Sequence, residues 1–377
     1  MVPLVTDLLV ELPPISAGPL MPFVHGGPVE DVSVRRAANG RRRAVSAVVV
    51  LLGVLVLGHL RAQILGGLRS LAALDAPAAL AVLGCLVLML IARAVVNHLS
   101  HPGSNLRQGF VLDQIFLAAN NGLPGGMVVG SAARYRISRS FGHSPELSAL
   151  GAFAIGQAFS LGRWMLVLIV ILHQAVVGSV GTTEVMVLIS ALVSITIGAL
   201  VWRAVVTDSV AILRLSDLIQ RALDRFGLRW RRLRNRDVAT FMDSIRRSAS
   251  MMTGTRASLM LLAGALSTLA GAAVILVVVT CLEQSVVGPD AWTLLRVYLL
   301  ARVATSFIPT PGALAALDAA LVGGLMAAGV DAPTAVAAVL VYRAVTFVLP
   351  ILTGGLMFIG WRRWVAVART QSVSEPA

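Results

Sequence analysis

Residues 305–343 read TSFIPTPGALAALDAALVGGLMAAGVDAPTAVAAVLVYR. An apolar run stops at Pro309-Thr310-Pro311-Gly312, then resumes with one carboxylate, Asp318, and closes on Tyr342-Arg343. Proline removes a backbone donor and clashes with the preceding helical turn, and glycine widens the allowed backbone, so no helix passes straight through this point. In hydrocarbon, freed backbone groups must be satisfied by protein or by water in a cavity. A break flanked by ionisable residues therefore belongs in the interior of a membrane protein, beside a polar space.

The rest of the chain agrees. Of its 377 residues, 57% are hydrophobic and 13% charged, and the mean hydropathy is +0.85. Such a chain is too apolar for an ordinary soluble domain. Several runs reach the roughly 20 residues needed to cross about 30 Å of hydrocarbon. The net charge of +13 comes wholly from arginine. Most arginines flank apolar runs as topology signals do, which argues against nucleic-acid binding.

Residues 1–40 are rich in proline and glycine and read as a mobile cytoplasmic tail, with no signal-peptide pattern. Arginines 35, 36 and 41–43 then precede the first apolar run, 44–60, which places the N-terminus inside. A second span is expected at about 76–97, with Arg93 near its inner end, free to snorkel to the interface. Residues 110–119 are apolar but too short to cross, and run into Asn120-Asn121-Gly122-Leu123-Pro124-Gly125-Gly126. A second short segment ends at Arg134, Arg136 and Arg139. This pair reads as a re-entrant hairpin or, alternatively, as a cytoplasmic loop with a surface helix. Further spans follow at about 147–175, where Gly151, Gly156 and Gly162 permit close helix approach, and at about 184–202. Residues 203–256 hold 12 arginines and 5 aspartates and form a basic cytoplasmic connection. It is either drawn to anionic lipid or only a signal of orientation. Spans at 257–281 and 332–360 frame the opening stretch, and residues 291–329 are either a hairpin or two full crossings. The C-terminus lies inside by the same count.

The two breaks echo each other. Pro124 and Pro311 are 187 residues apart, and so are Gly142 and Gly329. Each break follows a span and precedes a longer one, and the two open from opposite faces, which is the pattern of an inverted repeat. Asp318 is the sharpest candidate for function, since a carboxylate in a span costs roughly 2.5–3.5 kcal/mol without a partner or purpose. Arg343 follows it and Arg302 precedes the break; Arg163 lies deep in its own span. Asp113 and Arg134 are their first-half counterparts. A structural ion pair and a cavity that holds a phosphate on arginine are both open readings. There is no P-loop, no nucleophile–base pair and no Cys/His cluster, so neither catalysis nor a metal or cofactor is expected. His98 and His101 lack a third ligand, and a Cys85–Cys281 bond is left open.

From Pro309 to Gly355 the sequence resembles the signature of the lysylphosphatidylglycerol synthase transmembrane-region family: a Pro-x-Pro-Gly turn, an acid, a glycine-spaced helix, Tyr342-Arg343 and a span containing proline and glycine. Asn121, Pro124, Gly125 and Arg134 look like its N-terminal motif. Ala313 and Ala315 stand where the pattern has glycine, and Asp318 where it has glutamate. The resemblance covers about 44–364. It implies a bacterial cytoplasmic-membrane module, similar to one that moves aminoacylated phosphatidylglycerol between leaflets. Only 13 residues follow Trp364, so it implies no synthase domain here. Asn121, Arg134, Arg163, Arg302, Asp318, Tyr342 and Arg343 become the expected substrate cavity, with membrane lipid or a lipid-linked substrate as partner. The helix breaks are Pro124, Gly125, Pro309, Pro311 and Gly312.

The expectation is an all-α polytopic membrane protein with about six full spans and two broken or re-entrant elements. A tail at 1–40, a transmembrane domain at 41–364 and a tail at 365–377 make up the chain. The leading activity is lipid translocation without catalysis. The alternative is a scaffold that anchors or regulates a lipid or cell-envelope enzyme.

Overall fold

The computed structural model describes residues 65–67, 69–123, 125–177, 181–207, 247, 249–250, 252–282, 288–305 and 315–374. The expected N-terminal tail, the first run at 44–60, most of the basic connection, Pro124 and the whole Pro309–Gly312 turn lie outside them. Among the described residues there is helix and turn and no strand.

Among the described residues, five helices have the length and apolarity to cross a membrane: Ala76–Leu99, Pro145–Val177, Val185–Arg203, Thr255–Leu282 and Ala332–Val365. These correspond to five of the six expected crossings. In chain order the elements are α1 (Ala76–Leu99), α2 (Leu106–Gly122), α3 (Gly126–Ser140), α4 (Pro145–Val177), α5 (Thr182–Thr207), α6 (Thr255–Leu282), α7 (Ala291–Ala304), α8 (Ala316–Ala327), α9 (Ala332–Arg343) and α10 (Leu349–Ser374). A π-helical turn, Ala344–Val348, joins α9 to α10. The last helix runs on past the expected boundary at 364.

Local sequence sets the helix starts. Asp75, Asn105, Asp290 and Asp331 each cap a helix by accepting from a backbone N–H three residues on. Prolines follow the caps of α1 and α9, where a missing donor does no harm. Large apolar side chains such as Leu80, Leu83, Leu172, Val176, Leu352 and Leu356 face outward, as they would toward lipid. Within the apolar window of α5 only 11% is buried, so that helix stands at the periphery.

The α2 and α3 helices, 17 and 15 residues, and α7 and α8, 14 and 12 residues, are too short to cross alone. Of residues 291–329, the described part holds two short helices, and 306–314 between them lie outside the described residues. A side chain at Gly126 would meet Ala119 O at 2.3 Å, and one at Gly130 would meet Phe116 O at 2.9 Å, so α2 and α3 run antiparallel in close contact. Gly125 takes φ +65° to make that turn.

The halves are related by inversion. Helix α3 ends at Ser140 and α8 at Ala327; α4 starts at Pro145 and α9 at Ala332; both offsets are 187. Gly142 (φ +89°) and Gly329 (φ +96°) close α3 and α8 with the same pair of hydrogen bonds. The equivalent helices α1 and α6 pack antiparallel: Cys281 Sγ reaches Asp75 at one end and Arg256 Nε donates to Leu99 O (2.8 Å) at the other. Each hairpin's first helix then packs on the long helix of the other half, α2 on α10 and α7 on α4. The two hairpins therefore run in opposite senses within the bundle.

Two expectations are corrected. Arg93 does not snorkel; it turns inward to Asp113, because a buried carboxylate outweighs a partial reach to the surface. Gly151 meets His101 and Gly162 meets Leu261 and Ala265, but nothing lies within 4 Å of a side chain added at Gly156. Cys85 and Cys281 are both free thiols, which settles the pairing left open above.

Candidate functional site

Two charged clusters lie in the bundle, one on each hairpin. In the second half, Arg343 ends α9 and Asp318 sits in the first turn of α8. Arg343 Nε donates to Asp318 Oδ1 at 2.5 Å, with 3% of the arginine and 21% of the aspartate side chain exposed. Phe347 lies 5.4 Å from the guanidinium. One residue earlier, Tyr342 meets Tyr298 of α7, hydroxyl to hydroxyl at 3.3 Å, with the rings edge-on. Gly271 in α6 makes room for this pair, since a side chain there would come within 2.7 Å of the Tyr298 hydroxyl. Arg302, one turn beyond Tyr298, lies within electrostatic range of both tyrosines, and Arg163 of α4 lies within range of Arg302, Tyr298 and Tyr342. The sequence candidates Asp318, Tyr342, Arg343, Arg302 and Arg163 thus share one neighbourhood.

In the first half, Asp113 is fully buried on α2. Arg93 of α1 grips it with Nε (2.8 Å) and a terminal nitrogen (3.1 Å), and Asn97, one turn on, donates at 3.1 Å. Arg134 of α3 brings a terminal nitrogen to 3.9 Å and stacks on Phe116 at 3.8 Å. Arg93 stacks on Phe159 of α4 at 4.6 Å. Both expected first-half residues are therefore interior, Arg134 with 4% exposure. Arg163 is also within electrostatic range of Arg93 of this cluster.

Asn121 links the two clusters by backbone. Near the tip of the first hairpin, its amide donates to Thr346 O (3.3 Å) and Phe347 O (3.4 Å). These carbonyls belong to the π turn directly after Arg343, where the widened helix changes the regular bonding ladder. The seam continues along α2 and α10. Thr353 donates to Gln114 Oε1 at 2.7 Å, and Gly354 lets the two backbones touch, since a side chain there would fall 2.0 Å from Gln114 O.

Of the expected helix breaks, Gly125 is where the chain turns, while Pro124, Pro309, Pro311 and Gly312 lie outside the described residues. Ala315, just after the second break, holds φ +64°. That backbone region favours glycine, and alanine holds it here under strain. A cavity of about 70 Å³ lies elsewhere, between α4, α5 and α6, lined by Gln157, Leu161, Trp202, Met252 and Met260 among others. It is apolar apart from Gln157.

Asn97 and Tyr298 were not singled out by the sequence, and Arg93 was placed at the interface instead of in the site. Arg93 and Asn97 stand four apart in an apolar run, as do Tyr298 and Arg302, so each pair had to share a helix face. That spacing was the available signal. Outside the spans, the buried imidazoles of His101 and His143 meet at 5.3 Å, tilted by 38°, between the connections preceding α2 and α4. Burial lowers both, His101 to about 4.

A helical bundle with inverted halves, two short opposed hairpins and charge buried at each defines an integral multi-pass membrane protein. The chain belongs to the lysylphosphatidylglycerol synthase TM region family, whose sequence model matches residues 43–354. No curated protein matches it.

Proposed function

We propose that this protein translocates a lipid or lipid-linked substrate, its headgroup passing through the polar interior between the two hairpins while the acyl chains stay in the bilayer. The observation that carries the reading is the buried charge placed where hairpins of opposite sense approach: Asp318–Arg343 beside Tyr342, Arg302 and Arg163, with Asn121 of the other hairpin on the adjoining turn. A purely structural ion pair needs neither the inversion nor the further arginines. Arginine is the better two-point ligand for phosphate, so Arg343, with Arg302 or Arg163, meets the headgroup phosphate. Asp318, a fifth exposed, meets a cationic headgroup part or a proton. Arg134 serves the first-half end of the same path.

In this reading the hairpins are re-entrant, the host membrane is the bacterial cytoplasmic membrane, and both termini lie in the cytoplasm. The protein moves its substrate without making or breaking bonds in it. Anionic or aminoacylated phospholipid suits an arginine-rich interior that also offers a carboxylate.

Reconstituted vesicles carrying fluorescent phospholipid test this. Quenching from outside should reveal protein-dependent exchange between leaflets. Asp318→Asn or Arg343→Gln should slow it at least about tenfold, the scale of one lost charge-assisted contact. Wild-type exchange no faster than in empty vesicles, together with capture of an envelope enzyme by residues 203–256, would establish the scaffold reading instead.

A further inference from the structure

Among the described residues, the cluster around Asp113 is one negative charge short. Two guanidinium groups, Arg93 and Arg134, face one carboxylate. Arg93 takes both carboxylate oxygens. Arg134 stands off at 3.9 Å, and its Nε and Nη2 have no hydrogen-bond partner among the described residues although the side chain is 4% exposed. Those two nitrogens form the edge with which a guanidinium holds an oxyanion at two points. A buried donor edge left unmatched is unfavourable unless something fills it in another state. Phe116 and Phe159 each hold one guanidinium plane, so the mobile partner is the carboxylate. Arg93 is the more accessible cation, at 17% exposure.

We propose that Asp113 is an exchangeable internal anion. An incoming phosphate-type oxyanion takes the edge of Arg93, and the Asp113 carboxylate passes to the empty edge of Arg134. A shift of roughly 1 Å brings it into the range of a charge-assisted bond. The charges then balance, with two cations, one carboxylate and one added negative charge. Arg134 is a positioning residue here, because it receives Asp113 and does not touch the ligand. A lipid phosphodiester and free phosphate share this chemistry. The step names the anion contact at one end of the path proposed above and rests on that reading for its role, but its binding can be measured without transport.

The test uses the full chain in phosphatidylcholine nanodiscs, titrated with inorganic phosphate by calorimetry, and the same discs doped with phosphatidylglycerol as competitor. Arg93→Gln should abolish phosphate binding. Arg134→Gln should weaken it about tenfold or more. Asp113→Asn should tighten it, and in that background Arg134→Gln should have no further effect. In the wild type, the Arg134 Nε–H resonance should move downfield on adding phosphate, a readout that survives if Asp113→Asn fails to fold. An Arg134 effect that persists beside Asp113→Asn would mean direct contact and would overturn the exchange. So would binding untouched by Arg93→Gln, or no binding of phosphate at all. Competition by phosphatidylglycerol identifies the lipid headgroup as a source of the anion; binding without competition leaves a site for free phosphate. Exchange without leaflet transfer would sink the transport reading alone, and transfer without exchange would sink this one alone.

Discussion

Replacing Asp318 by asparagine should destabilise the protein more than replacing Arg343 by methionine, although the two substitutions break the same ion pair. The difference lies in what each leaves behind. Asp318→Asn leaves a guanidinium that is 3% exposed facing a neutral amide, whereas Arg343→Met leaves a carboxylate that is 21% exposed and can hydrate or take up a proton. Removing one partner of a buried pair costs about 3–5 kcal/mol. The asparagine carbonyl still accepts from Arg343 Nε, which brings the first variant to about 3 kcal/mol. Methionine fills much of the arginine volume against Phe347, so the second should lie at about 1–2 kcal/mol. The double variant should cost less than the sum by about 1.5 kcal/mol or more. Equilibrium unfolding in mixed micelles of mild detergent and dodecyl sulfate, run on all four proteins, measures the cycle. Equal single costs, or costs that simply add, would refute the claim that burial of Arg343 makes the pair necessary.

Other outcomes follow from the same geometry. Ala315→Gly should stabilise the protein by about 1 kcal/mol, the relief of a positive φ less the entropy glycine adds to the unfolded chain, seen as a higher melting temperature. Gly354→Ala should cost about 1–3 kcal/mol by pushing α2 off α10, while Gly355→Ala, with nothing within 4 Å of the added carbon, should be neutral or stabilising. Hydrogen exchange along α2 should rise for the first and stay unchanged for the second. His101 has its pKa lowered below the unfolded value of 6.5 to about 4, so the unfolded chain binds more protons between those values. Its contribution is complete above about pH 6.5 and is lost as pH falls toward 4, by about 3 kcal/mol in all. A melting curve that falls over this window in the wild type should flatten in His101→Gln.

How much was legible in the sequence varies by residue. The Asp318–Arg343 pair could be named because both charges interrupt apolar runs, and no crossing tolerates such residues without a partner. Arg93 was misplaced for the converse reason. Its distance from the helix end allowed a reach to the surface, and only folding brought Asp113, twenty residues later, within 2.8 Å. The turn at Gly125 was legible from its glycine, while Pro124, Pro309, Pro311 and Gly312 lie outside the described residues. The π turn after Arg343 was not legible, because no residue type marks it and its carbonyls are met by Asn121 from the other half of the chain.

Composition and hydropathy runs by themselves determined a multi-pass helical membrane protein, and the spacing of glycines and prolines determined its paired halves. Both are matters of near neighbours along the chain: how long an apolar run is, and which backbone angles a residue permits. Only the tertiary structure decided which arginine each carboxylate holds, that the short helices pack as opposed hairpins, and that Arg134 faces Asp113 without bonding to it. Those depend on distances between segments far apart in sequence, which helix packing sets and a single sequence does not encode in any local pattern.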